Sequence, residues 1–254
     1  MAIKICLVNV KGGVGKTSSA VNISACLGDM GKDVLIVDVD PQSNTTQYLN
    51  MYDPEALSTY DALMDKNLDV TEVIVNTSIK NVDILPGNLK LAVCENEIIS
   101  DTKRSRENRL QRVLSKVEDK YDYIVIDCPP SLNIITTNSL VASDFVLVPI
   151  KIDKFALDGF SYLLSFIDEI KDEFNTSLEL MGAFITMDKR TSVNKAIKEA
   201  LRDSLGDRFF KTSIRENAKL VQSTFEQIPV VLFDKTASSS EDYMNLTKEV
   251  LSRV

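Results

Sequence analysis

Short apolar runs alternate with amphipathic stretches along this chain. IKICLVNV (3–10), DVLIVDVD (33–40), NVDILP (81–86), YDYIVIDC (121–128), DFVLVPI (144–150) and LELMGAFIT (178–186) are rich in Val, Ile and Leu. Several are apolar at consecutive positions, as strands covered on both faces require. Between them the spacing predicts helices at about 17–30, 104–119, 156–173, 192–205, 216–226 and 239–253, with Gly31 closing the first. Strand–helix alternation of this kind predicts an α/β fold, a doubly wound and mostly parallel sheet with helices on both faces. No internal repeat, low-complexity tract or Pro/Gly-rich linker interrupts it, so residues 1–254 are expected to form a single domain.

Composition changes this picture little. At 44% hydrophobic and 26% charged residues the chain has an ordinary globular make-up. No apolar run is long enough to predict a membrane span, and Lys11 follows too soon for a secretory signal. Cys6, Cys26, Cys94 and Cys128 show no CxxC spacing, and a reduced, cytoplasmic protein is expected. Neither Cys94 nor Cys128 has the flanking glycines that would let backbone amides wrap an iron–sulfur cluster, so both are read as buried thiols.

Charge adds more. The net charge of −8 argues against a protein that coats nucleic acid indiscriminately, yet the sign is unevenly distributed. Residues 1–185 hold 17 Lys+Arg against 27 Asp+Glu, whereas residues 186–254 hold 12 against 10. Within 189–219 nine basic residues face four acidic ones. An acidic body with a locally basic segment can meet an anionic surface through that segment alone.

The candidate chemistry begins at KGGVGKTS (11–18), where the first strand gives way to the first helix. Gly12, Gly13 and Gly15 let the backbone curl until successive N–H groups, Val14 among them, point at one anion, and the helix N-terminus adds partial positive charge. In such a loop Lys16 reaches the β- and γ-phosphates of a nucleotide, Thr17 ligates Mg²⁺, and Ser18 follows on the helix. The general spelling GxxxxGK[ST] wants glycine where this chain has Val10, and places no lysine where Lys11 stands. Two carboxylates, Asp38 and Asp40, fall at the end of the second strand, and the apolar YIVI run delivers a third, Asp127. Strand ends facing the crevice are where doubly wound folds bind ligands.

The spelling KGGVGKT resembles the deviant phosphate loop of the ParA/MinD family of ATPases, which have a P-loop fold. DVDPQSN is similar to that family's first switch, with Ser43 in place of a glycine, and IDCPPSL to its second. The resemblance covers essentially the whole chain. It implies ATP and Mg²⁺ as cofactors, with Thr17, Asp38 and Asp127 serving the metal, Asp38 through water. It implies that Asp40 orients the attacking water, and that Lys11 crosses a homodimer interface to touch the partner's phosphates as a catalytic cation beside Lys16. FITMDKRTS, with Met187, and the segment around Asn217 resemble the stretches that frame the base.

Within the family the chain is most similar to the short ParA/Soj type, which binds DNA non-specifically as an ATP dimer and answers to a ParB-like partner. That implies a nucleoid-associated protein that partitions a plasmid or chromosome, without membrane binding, because only Lys248 and Arg253 follow late in the last helix. Lys189, Arg190, Lys195, Lys198, Arg202, Arg215 and Lys219 are the candidate DNA contacts. The alternative is a MinD-like positioning ATPase acting on a protein cluster or membrane.

Overall fold

A computed structural model describes residues 1–153 and 156–254. The strands are β1 (Ile3–Leu7), β2 (Val34–Asp38), β3 (Val75–Asn76), β4 (Val82–Leu85), β5 (Tyr123–Asp127), β6 (Phe145–Lys151) and β7 (Glu179–Thr186). The helices are α1 (Lys16–Asp29), α2 (Asn44–Tyr48), α3 (Thr59–Met64), α4 (Leu91–Ser100), α5 (Arg109–Leu114), α6 (Ile134–Val141), α7 (Ala156–Glu173), α8 (Ser192–Leu205), α9 (Ala218–Phe225), α10 (Val230–Phe233) and α11 (Ser238–Leu251).

The strands form one seven-stranded sheet in the order β3-β4-β2-β5-β1-β6-β7. Every pairing is parallel except that of β3 with β4 at the edge. Alternate residues of each central strand feed opposite cores. Ile5, Leu7, Val34, Ile36 and Val125 join α1 and α11 on one face, while Cys6, Leu35, Val37, Ile124 and Ile126 pack against α3–α7 on the other. Burial on both sides explains the unbroken apolar runs, since neither face has room for a polar residue. All four cysteines are free and buried in these layers.

Chain order reverses on either side of β1, so β1, β2 and β5 bring their C-terminal ends to one crevice. The register is tight there: Asp38 of β2 lies opposite Asp127 of β5, which also lies opposite Leu7 of β1. A loop leaving β1 therefore starts level with both carboxylates.

The elements differ from the sequence pattern in instructive places. β1 stops at Leu7 rather than Val10, because the Asn9 side chain turns away to donate to the Pro149 carbonyl and to accept from the Lys11 amide. The helix expected at 104–119 is only Arg109–Leu114. Residues before it are tied into a loop by Arg109 on Asp101 and by Asn138 accepting from the Arg109 and Leu110 amides. The pattern does not predict α6, since that helix is buried almost all round and presents no polar stripe. Two of its hydroxyls are satisfied locally, Ser139 on the Ile135 carbonyl and Thr136 on that of Ser131.

Candidate nucleotide-binding site

Between β1 and α1 the chain makes a loop whose conformation only its glycines permit. Gly13 and Gly15 have φ of 67° and 86°, in the left-handed region, and a Cβ at Gly12 or Gly13 would meet no atom within 4 Å. The loop is concave and open on that side. Thr186 at the end of β7 fixes it from behind, donating from Oγ1 to the Val14 carbonyl at 2.8 Å. Lys16 is only 6% exposed and arches back over the loop, its Nζ 3.2 Å from the Asn9 carbonyl and 3.1 Å from that of Lys11. Burial lowers its pKa, and Asp127 opposes that shift most strongly among its neighbours. A buried ammonium held by two carbonyl dipoles is a strong site for an anion.

Below the loop, Asp127 accepts from Thr17 Oγ1 and Thr45 Oγ1 on a single oxygen, Oδ2, at 2.7 Å each. Its other oxygen, Oδ1, is buried without a hydrogen-bond partner. Such an orphan is costly in a folded protein unless a cation or ligand uses it. The donor set fits a divalent ion: a hydroxyl on Thr17, a carboxylate behind it, and a concave backbone loop above for an anion that shares the metal.

Asp38, its neighbour in register, is bonded differently. Oδ2 accepts from the Thr46 amide and hydroxyl at 2.9 and 2.7 Å, and Oδ1 from the Asp40 amide at 3.2 Å. The Thr46 hydroxyl oxygen accepts in turn from the Gly87 amide. A Cβ at Gly87 would stand 3.0 Å from the Asp38 carboxyl carbon, so a side chain there would press on this anchor. Both Asp38 oxygens are thus engaged within the protein, whereas sequence reasoning places the residue near the metal. Burial raises the pKa of both carboxylates, and the charge of Asp127 raises Asp38 further.

Asp38 fixes the turn that carries Asp40. The Asp40 carboxylate accepts from the Gln42 amide, and its carbonyl from the Ser43 amide. Ser43 adopts φ of 52°, a left-handed value that suits glycine better. Asp40 lines a cleft of about 810 Å³ together with Gly12, Gly13, Gly15, Lys16, Thr17, Ser18 and Met187. The rest of this wall comes from stretches that the resemblance marks without naming these residues: Gln42, Asn44, Gln47 and Tyr48 from the α2 region, Pro130, and Thr224, Phe225 and Gln227 at the end of α9.

Five expected residues are not among those lining the cleft: Val14, Asp38 and Asp127, which are buried, and Asn217 and Lys11. Asn217 caps α9, accepting from the Lys219 amide and donating to Ser238 Oγ at 2.6 Å. Lys11 sends its ammonium sideways to Asp153, 2.5 Å away.

The basic segment is surface, and several of its cations are already paired. Arg215 is bound to Asp242 and Glu241, Lys198 to Asp188, and Lys189 to Glu216. Arg202 lies over the Phe209 ring, and Lys219 over that of Phe233. Arg190 and Lys195 are exposed and form no ion pair among the described residues. No helix among them is long and apolar enough to cross a membrane.

Known proteins place this architecture. A family described as an AAA domain matches residues 2–180. The chain is 40% identical over 248 residues to the sporulation initiation inhibitor protein Soj of Bacillus subtilis, covering 97% of each chain. It is 35% identical to the chromosome-partitioning ATPase Soj of Treponema pallidum, covering 100% of this chain and 98% of the other. Among solved structures it is similar to a cobyrinic acid a,c-diamide synthase from Mycobacterium smegmatis with bound ATP analog and magnesium. That structure has 27% identity and a TM-score of 0.87, over 99% of this chain and 94% of the other. With the phosphate loop, the paired carboxylates and this full-length similarity together, the chain belongs to the AAA-domain family and to its Soj/ParA branch.

Proposed function

We propose that this protein is a Mg²⁺-dependent ATPase, one domain long, that closes into a homodimer around ATP, binds DNA non-specifically and partitions a chromosome or plasmid with a ParB-like partner. The observation that carries this reading is the orphaned Asp127 Oδ1 beside Thr17, under a loop over which Lys16 is already folded. The solved relative with a bound ATP analog and magnesium supports the choice of ligand.

In this reading the loop amides from Gly12 to Thr17 and the Lys16 ammonium bind the phosphates, with Ser18 continuing that wall. Thr17 and Asp127 would hold the magnesium, which would supply Lewis-acid charge to the transferring phosphoryl group. Asp38 positions Asp40 by gripping the intervening turn at the Asp40 and Thr46 amides. Asp40 in turn orients the attacking water from the cleft wall. Lys11 serves the partner's phosphates, consistent with an ammonium that lies on Asp153 rather than in its own cleft. With no strong general base in reach, catalysis rests on positioning, and turnover is slow until the dimer and its partner assemble.

DNA contact falls to the cations not committed to acids, Arg190 and Lys195, joined by Arg202 and Lys219. The test is DNA retention with and without ATP at several salt concentrations. ATP-dependent binding that weakens steeply with salt is the expected result. Binding indifferent to ATP would remove DNA from the account.

A further inference from the structure

Thr45, the second residue of α2, is fully buried and lines no part of the cleft. Its hydroxyl nonetheless reaches across the sheet end to β5, donating to Asp127 Oδ2 at 2.7 Å. Its neighbour Thr46 turns the other way and gives both its amide and its hydroxyl to Asp38 of β2. Side chains one position apart on a helix diverge by roughly 100°. Two consecutive threonines can therefore serve two carboxylates that stand side by side in the sheet.

The two bonds do different things. Thr46 and Asp38 lie eight residues apart, and their bonds close the loop that carries Asp40 upon itself. Thr45 and Asp127 lie 82 residues apart, and their bond fastens that loop to a different strand. The phosphate loop grips the same atom, since Thr17 Oγ1 also donates to Asp127 Oδ2. One oxygen thus receives a hydroxyl from each of two loops, while Oδ1 is left without a partner. A carboxylate with two donors on one oxygen cannot rotate without weakening both bonds. Valine would fill the space of Thr45 without burying a hydroxyl, so the bond to Asp127 is what threonine adds.

We propose that Thr45 is the positioning residue through which the cation site at Asp127 governs the loop that carries Asp40. This rests on reading the cleft as a Mg²⁺–nucleotide site. With Oδ2 held by Thr17 and Thr45, Asp127 presents Oδ1 in one direction, as partners behind a metal ligand do. Occupation of Oδ1 fixes Asp127, and Thr45 passes that order to α2 and to the turn before it. Nucleotide without metal leaves the turn slack, so Asp40 is set in place only in the loaded site.

The test combines calorimetry of ADP binding, with and without Mg²⁺, and amide hydrogen exchange of residues 40–48 in the ADP-loaded full chain under the same two conditions. ADP removes any coupling to γ-phosphate-driven pairing. In the parent, Mg²⁺ should tighten ADP binding and slow exchange across 40–48. Thr45→Val is expected to lose that slowing and to need roughly ten-fold more Mg²⁺ for the same gain in ADP affinity, with metal-free ADP binding unchanged. Thr45→Ser keeps the hydroxyl and is expected to restore both responses. Should Thr45→Val fail to fold, Thr45→Ala, which removes the bond without crowding, carries the same measurement. If the parent's ADP affinity ignores Mg²⁺, the cleft reading itself is wrong and this assignment falls with it. If that affinity responds but Thr45→Val keeps the parent's slowing across 40–48, Thr45 is not the link. Equal losses in Thr45→Ser and Thr45→Val overturn it too, since they mark packing rather than the hydroxyl.

Discussion

The strand-end face around Asp38 and Asp127 and the basic surface of α8 and α9 are both rich in charge, yet they are built on opposite principles. At the strand ends the charges are buried and each hydrogen bond has a fixed partner, apart from the single oxygen on Asp127. Around α8 and α9 most charges lie at the surface, and three of the cations, Lys189, Lys198 and Arg215, are paired with acids. The first region obtains specificity from geometry, because a buried carboxylate in low dielectric tolerates few arrangements. The second can act only through summed electrostatics, where no individual contact matters much.

The largest expected effect is at the buried side. Lys16→Ala should weaken ATP binding by about 100-fold or more in equilibrium dialysis, since it removes the one buried cation on the loop. The twin carboxylates should then separate. Asp38→Ala leaves the Thr46 and Asp40 amides unpaired and should cost about 2–4 kcal/mol in a urea melt. Asp127→Ala should instead abolish the dependence of nucleotide affinity on Mg²⁺ with a smaller loss of stability, which metal titrations of the two variants will report. Equal stability losses for the pair would erase the distinction drawn between anchor and metal ligand.

At the exposed side, Arg190→Ala with Lys195→Ala should lower DNA retention and reduce the salt slope by about one for each phosphate no longer neutralised. Arg215→Ala should leave that slope unchanged, because its guanidinium is engaged by Asp242 and Glu241. A drop in slope for Arg215→Ala equal to that of the double variant would show that intramolecular pairing does not exclude a cation from binding. Smallest of all, Ser43→Gly should stabilise the chain by less than about 1 kcal/mol, as relief of the left-handed φ is partly offset by glycine's extra freedom when unfolded.

The same contrast explains what can be read from the sequence. The central strands are legible because two-sided burial forces continuous Val, Ile and Leu. The loop is legible because its backbone demands glycines in a fixed spacing before Lys16 and Thr17. The different settings of Asp38 and Asp127 are not, since hydrogen bonding, rather than residue type, distinguishes them. Phe225 escapes sequence reasoning because a single aromatic in an amphipathic helix carries no mark of which cleft it reaches. For α6 the polar stripe that announces a surface helix is absent, so burial itself hides the element. The charged surface misleads in detail because spacing counts cations without showing which acids they meet, as with Arg215.

The central claim is that two copies close around ATP, each lending Lys11 to the other. Sedimentation of the Asp40→Ala variant with saturating ATP and Mg²⁺ tests it most directly. The account predicts a species of twice the 28.3 kDa chain mass, which returns to a single chain when Lys11→Ala is added. An Asp40→Ala protein that stays at one chain mass while fully loaded with ATP, or a dimer indifferent to Lys11, would contradict it.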